Sequence, residues 1–300
     1  LKNKSKLRFK LNFNPETFYI DTQGSKFKIK KNTPMISEKI IEELMIHTNT
    51  TVAKFILSEK INSNFRNHDE PTNEKINRLS LFCNQNSIHF SPQKKILQKD
   101  IFNIFDENKI DSKIFIDFIL KSQSKASYNI KNRGHFGLAL NEYTHFTSPI
   151  RRYSDLMVHR DILRHIYKEE ETTKEGWICD HLTDQEKKSE KIERNILSKA
   201  CCLILKKQKK KTYTGHIDGF IETGVFVKAY ELPFYAFQRF DSMKDDFYIL
   251  DETEQFAVGK KNGFLFKLGQ KVSFKLKVVN SSNGKILING LKKRENDKAS

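Results

Sequence analysis

The residues best suited to chemistry sit together in Thr147-Ser148-Pro149-Ile150-Arg151-Arg152-Tyr153, inside the longer run GHFGLALNEYTHFTSPIRRYSDLMVHR from Gly134 to Arg160. A serine hydroxyl can accept from an orphan backbone N–H of a first helical turn, so Ser148 is a natural N-cap. Pro149 suits the first helical position, where a missing N–H removes nothing. Leu156, Leu163 and Ile166 or Tyr167 recur at helical spacing as a buried stripe. These signals predict a helix over 149–167. Its first turn then holds two arginines, although the positive end of a helix dipole favours acids. A local rule broken in this way points to function. Free N–H groups, the dipole and two guanidinium forks make a trap for phosphate. The plainer reading pairs Arg151 and Arg152 with buried carboxylates, Asp155 foremost.

Several elements must position this turn. Leu7–Phe13 alternates with period two and reads as a strand. Residues 18–30 read as a strand pair turning near Asp21-Thr22-Gln23-Gly24. A long helix is predicted over 35–58, with Ile41, Met45, Val52 and Phe55 inward and Glu42 and Asn49 on a neighbouring stripe. A shorter helix covers 71–83, facing inward through Ile76, Leu79 and Phe82, and another covers 101–122. Residues 177–211 read as a second long helix, with Ile192, Ile196, Cys202 and Leu205 as its stripe. It ends in a lysine cluster that suits a helix C-terminus and could also touch phosphate. From Thr212 the pattern changes to short strands: 213–217 ending in a turn at Gly219, 224–228, the alternating Val272, Phe274, Leu276 and Val278, and 285–289 after the Asn283-Gly284 turn. Short aromatic and basic strands over about eighty residues predict a small barrel, the OB-fold first. The polar tail from Lys292 is expected to be disordered.

The chain has 300 residues, a formal net charge of +17 and a pI near 9.5. That length allows one large domain or two ordinary ones. The charge favours polyanion partners, although Lys, Asn, Ile and Phe share A/T-rich codons and part of the lysine excess reflects genome bias. The four cysteines form no CxxC pair and no zinc-type spacing. Cys201 and Cys202 lie in an apolar helical run and read as buried free thiols, and the cysteine usage fits a reducing, cytoplasmic setting. No apolar run approaches the length of a membrane span. Leu1 stands in mid-pattern without a methionine, which points to a missing upstream segment.

Gly134–Leu140 (GHFGLAL) and Tyr143–Arg160 (YTHFTSPIRRYSDLMVHR) together resemble the late catalytic-domain motif of the ribonuclease II / ribonuclease R exoribonuclease family. The likeness extends upstream through IEELMIHTN (41–49) and Glu70-Pro71, and downstream through Ile192-Glu193-Arg194. TGHIDGFIETGVFV, DDFYILDE and FKLGQKVSFKLKVV look like that family's C-terminal S1-type OB-fold. The resemblance therefore implies an α+β chain: the C-terminal part of an RNB-type catalytic domain (residues 1–205, strands then long helices), a small all-β OB-fold barrel (206–292) and a tail (293–300). It implies processive 3′→5′ hydrolysis of RNA to nucleoside 5′-monophosphates, with magnesium held by an aspartate cluster. By motif position Arg151 is the catalytic arginine, a fixed cation for charge that grows on the phosphate. Losing such a contact costs about 3 kcal/mol or more of barrier.

RNA contacts are expected from Glu42 at the ribose hydroxyls of the 3′ end and from Tyr143 and His145 by stacking. Arg152, Glu193, Phe226 and Arg239 complete that set. Phe146 reads as core, Arg160 as a buried ion-pair partner, and His135 as structural or RNA-contacting. The partner is single-stranded RNA, with neither a membrane nor an obligate protein partner. Two departures from the family pattern matter. The DxxxxxDDA-type aspartate motif is absent, so the chain alone is expected to bind no metal and to cleave nothing; the alternative is a stand-alone, non-catalytic RNA-binding protein. In the barrel, Thr223 replaces one of the usual aromatics and Arg239 stands at the usual histidine.

Overall fold

The computed structural model describes residues 18–23, 26–31, 35–86, 88, 90, 112–170, 176–208, 212–251 and 253–294. They belong to two compact units, one within Thr33–Ser189, the other within Glu16–Asn32 and Glu190–Ser300. The strand expected at Leu7–Phe13 and the first part of the helix expected at 101–122 lie outside the described residues.

In the first unit, helix α1 (Ile36–Ser58) opens with the Glu38 carboxylate accepting the Met35 N–H at 2.9 Å. This satisfies one of the free donors that a helix start leaves. Its inward face is Ile46, Asn49, Ala53 and Ile56. That is one step round from the predicted face, and it leaves Ile41 and Phe55 exposed. Strand β3 (Phe65–Asn67) pairs antiparallel with β4 (Ser127–Asn129). Helix α2 (Asn73–Gln85) buries Ile76, Leu79, Phe82 and Cys83, and Phe82 stacks on Phe118 of α3 (Ser112–Ser122) at 4.1 Å.

Helix α4 starts at Tyr153, not Pro149, and runs to Tyr167. Ser148 does not cap it. The Ser148 carbonyl instead accepts the N–H groups of Arg151 (3.3 Å) and Arg152 (3.0 Å), which closes a separate turn. Arg152 then takes an extended conformation (φ −125°, ψ 116°) that separates this turn from the helix. The buried face of α4 is Ser154, Asp155, Met157, Val158 and Asp161, and the predicted stripe of Leu163, Ile166 and Tyr167 is exposed. The reason is packing. Val158 closes a core with Ala53, Ile56, Ile61 and Phe65, and Phe146 and Ile162 pack against it. Phe146 is thus a core residue, as expected. Arg160 is a correction: it is exposed, and its guanidinium lies over the Tyr153 ring at 5.9 Å.

Helix α5 spans Gly176–Lys207. Cys202 and Leu205 are buried as predicted, but Ile192 and Ile196 are more than half exposed. All four cysteines are free and buried. Strands β1 (Phe18–Gln23) and β2 (Lys26–Lys31) form an antiparallel hairpin.

The second unit contains the barrel. Strands β5 (Tyr213–Ile221), β6 (Gly224–Ala229), β7 (Tyr235–Arg239), β11 (Lys271–Asn280) and β12 (Lys285–Lys293) close in the order β11-β12-β7-β6-β5. The β12–β7 pair is parallel and the other barrel pairs are antiparallel. This is a closed five-stranded OB-fold barrel. Tyr213, Phe234 and Phe274 pack ring to ring inside it.

The turn expected at Gly219 is a register shift within β5; the strand continues to Ile221. A second shift, between Leu276 and Val278, ends the predicted alternation and turns Val278 outward. Lys292 and Lys293 are paired in β12 and are not part of a tail. Between β7 and β11 lies a three-stranded antiparallel sheet that the sequence reading missed: β8 (Tyr248–Leu250), β9 (Phe256–Gly259) and β10 (Leu265–Lys267). Two aspartates tie its loops. Asp246 accepts the N–H groups of Phe247, Lys261 and Asn262, and Asp251 accepts those of Thr253, Gln255 and Phe256.

Candidate nucleic-acid site

The turn 146–152 is held by side chains, because its own backbone has no regular ladder. Asn49 of α1, only 2% exposed, accepts the N–H groups of Phe146 (2.9 Å) and Thr147 (3.2 Å) through Oδ1. Its Nδ2 donates to the Tyr143 hydroxyl at 3.0 Å. Asp155, fully buried on the first turn of α4, accepts the Ser148 N–H and Arg152 Nη2, both at 2.8 Å, and the Ser154 hydroxyl at 3.0 Å. His159 donates to the Phe146 carbonyl at 2.8 Å and stacks on its ring at 3.9 Å. The bonds to the N–H groups of Phe146, Thr147 and Ser148 and to the Phe146 carbonyl satisfy backbone groups that have no ladder partner.

The two arginines are therefore different. Arg152 is partly neutralised by Asp155, which is the plainer of the two sequence readings. Arg151 is exposed, and its guanidinium makes no hydrogen bond or ion pair among the described residues.

Beside the turn is a cleft of about 620 Å³. Glu38, Glu42, Met45 and Asn49 line it from α1, Arg66 and Arg152 supply cations, and Tyr143, His135 and His145 also line it. Arg66 is held by both oxygens of Glu186 and lies over the Tyr128 ring at 4.7 Å. Tyr143 is buried, with His135 and His145 set edge-on to its ring. The Tyr128 hydroxyl and His145 Nδ1 are 2.9 Å apart. Burial, reinforced by Arg152 and Arg66, pushes His145 down to about 2. Burial and the neighbouring His68 push His135 down to about 3. Both rings are neutral near pH 7. Three buried polar atoms here, Thr147 Oγ1, Arg152 Nε and His135 Nδ1, have no partner among the described residues.

A crossbar from the residue that follows β3 braces the loop before the turn. His68 Nδ1 accepts the Gly137 N–H at 2.7 Å, so its Nε2 carries the proton and donates to the Ser124 carbonyl at 2.6 Å. A Cβ on Gly137 would meet His68 Nδ1 at 2.9 Å, which is why glycine stands there.

The structure thus gathers Glu42, Tyr143, His145 and Arg152 around one cleft, with Arg151 on the adjoining turn. Glu193 is exposed on the part of α5 that belongs to the second unit. In the barrel, Phe226 of β6 faces Phe237 of β7, ring centroids 4.8 Å apart. Arg239 is held to Asp241 by three hydrogen bonds. Sequence reasoning missed Asn49 as a clamp, Arg66, and Phe237 as the second aromatic. The signal for Asn49 was a polar side chain within the IEELMIHTN run.

Among the described residues, no three His, Cys, Asp or Glu side chains are grouped to hold a metal ion. The described residues do not fit the magnesium site that the resemblance implies. Among them, no helix is long and apolar enough to cross a membrane.

Residues 1–168 match the RNB domain model, and the chain belongs to the RNB family. Among curated relatives it is 31% identical to ribonuclease R of Mycoplasma genitalium over 254 residues, covering 80% of this chain and 35% of that one. It is 29% identical to ribonuclease R of Escherichia coli over 266 residues, covering 83% and 33%. The chain spans about a third of the length of these relatives. Its fold matches the solved structure of Mycoplasma genitalium RNase R in complex with ribose-methylated single-stranded RNA, with a TM-score of 0.87 and 27% identity, over 96% of this chain and 47% of that one. The same relative is also solved with double-stranded RNA (TM-score 0.75).

Proposed function

We propose that this chain forms part of a processive 3′→5′ exoribonuclease that hydrolyses single-stranded RNA to nucleoside 5′-monophosphates, and that Arg151 contacts the scissile phosphate. The observation that carries the reading is the contrast within the turn. Asp155 holds Arg152, whereas Arg151 is left as an exposed cation on a backbone fixed from three sides. A preset cation lowers the barrier because it need not reorganise as charge grows on the phosphate oxygens. Glu42 accepts from ribose hydroxyls, which distinguishes RNA from DNA. The neutral Tyr143 and His145 pack beneath the terminal nucleotide, and Arg152 and Arg66 balance its charge. The unpartnered Thr147, Arg152 and His135 atoms support a polar ligand here. Phe226, Phe237, Arg239 and Glu193 are further RNA contacts in this reading. A divalent metal, where bound, would be held by residues outside those described.

The test uses the polypeptide encoded by the complete reading frame, with 3′-extended single-stranded RNA and magnesium. Release of nucleoside monophosphates that Arg151→Ala reduces at least 100-fold, with RNA affinity nearly unchanged, supports the reading. RNA binding without release, in wild type, establishes the non-catalytic RNA-binding alternative. A large affinity loss with normal turnover reassigns Arg151 to binding.

A further inference from the structure

Among the described residues Arg151 has no side-chain partner to aim it, so its placement there comes from its backbone. That backbone is traceable link by link. The Ser148 carbonyl accepts the Arg151 N–H, and the two residues before Ser148 are held by one side chain on another helix, Asn49. Asn49 Oδ1 takes two consecutive N–H groups, of Phe146 and Thr147, while its Nδ2 is engaged by Tyr143. Neither amide is part of a helix or a strand ladder. Asp155 secures the next link, the Ser148 N–H. Asn49 is buried within the apolar face of α1, where an uncompensated carboxamide would be unfavourable. Its presence there is explained by the turn it holds.

We infer that Asn49 is a positioning residue for Arg151, acting through the backbone of residues 146–148 and not through contact with RNA. The inference rests on the catalytic reading of Arg151. Misplacing a reacting group by about 1 Å can lower a rate about 100-fold, and that is the size of effect expected when the clamp is lost.

Two substitutions separate positioning from folding. Asn49→Leu keeps the branched side-chain shape, though with bulkier methyl ends, and removes all three hydrogen bonds. Asn49→Asp keeps two acceptors for the amides and can accept from the Tyr143 hydroxyl in place of donating to it. Hydrogen exchange on the 300-residue chain reads the clamp directly. The Phe146 and Thr147 amides should be protected in wild type and Asn49→Asp and exchange fast in Asn49→Leu, with the α1 and α4 amides still protected. Steady-state kinetics on the complete reading-frame product read the consequence. In Asn49→Leu, kcat should fall about 100-fold with KM little changed, Asn49→Asp should recover most of it, and Asn49→Leu in an Arg151→Lys background should add less than it does in wild type.

A full, additive loss in that background overturns the inference while leaving the catalytic reading standing. So does protection of both amides in Asn49→Leu, or the loss of α4 protection along with theirs. Undiminished turnover in Arg151→Ala overturns the catalytic reading, and this inference with it.

Discussion

Asp155→Ala should be among the most destabilising single changes in the first unit. The carboxylate is fully buried, and its two oxygens accept a backbone N–H, a guanidinium N–H and a hydroxyl. Removing one partner of a buried ion pair costs about 3–5 kcal/mol, because the other charge is left uncompensated. Arg152 retains 20% side-chain exposure and can reach water in part, which places the expected loss near the lower end, about 3 kcal/mol. For a unit of this size each kcal/mol shifts the melting midpoint by about 2–4 °C, so the drop is on the order of 6–12 °C. Asp155→Asn keeps one carbonyl acceptor for the Ser148 N–H and loses the charged bond to Arg152, for a smaller loss of about 1.5–3 kcal/mol. Thermal unfolding followed by far-ultraviolet circular dichroism checks both, since α1 to α4 all lie in this unit. An Asp155→Ala midpoint equal to that of wild type would refute the reasoning: the turn would then be held without this carboxylate.

Three further outcomes follow from the same geometry. The 300-residue chain should bind single-stranded RNA with affinity that falls steeply with salt, log K dropping by about 0.7 per decade of salt for each phosphate contacted; a filter-binding series showing no salt dependence removes RNA as the partner. His68, His135 and His145 all titrate below the free imidazole value in the folded unit because burial disfavours the imidazolium. The unfolded chain takes up these protons near pH 6.5 and the folded unit does not, so the stability they contribute is complete above about pH 6.5 and is lost as pH falls toward the folded values; urea midpoints at pH 7.5 and 4.5 should differ in that direction. Gly137→Ala should destabilise the unit by about 1–3 kcal/mol, since the new methyl meets a His68 ring that is pinned at both nitrogens; an unchanged denaturation curve would show that the crossbar yields.

The sequence showed where the helices and barrel strands lie more clearly than which way they face. Helix α1 was expected over 35–58 and spans Ile36–Ser58, yet its buried face was misread. Ile41, Met45, Val52 and Phe55 have helical spacing, and so do Ile46, Asn49, Ala53 and Ile56, so periodicity alone cannot choose between them. The turn that Asn49 must reach makes the choice. The start of α4 was misread for a related reason: Ser148-Pro149 carries the composition of a cap, but the Ser148 N–H goes to Asp155 seven residues on, and the chain makes a separate turn before the helix begins. The Arg152–Asp155 pair was legible because i, i+3 partners can be read from spacing. Arg66 was not legible, because its partner Glu186 is 120 residues away. The three-stranded sheet was missed because its strands are only three or four residues long.

That brevity has a consequence for behaviour in concentrated solution. The sheet β10-β9-β8 is open, so among the described residues neither β8 nor β10 has a strand partner on its outer flank, although Gln270 engages the Lys267 N–H and C=O; nearby are the exposed side chains of Phe247, Ile249, Val258 and Phe264. A long strand in that setting would template pairing with another molecule. Three residues offer an incoming chain too few hydrogen bonds to offset the entropy of ordering it, and Lys267 at the end of β10 adds a charge at the margin. Extending either strand by a few β-branched residues would turn a tolerated edge into a seed for self-association.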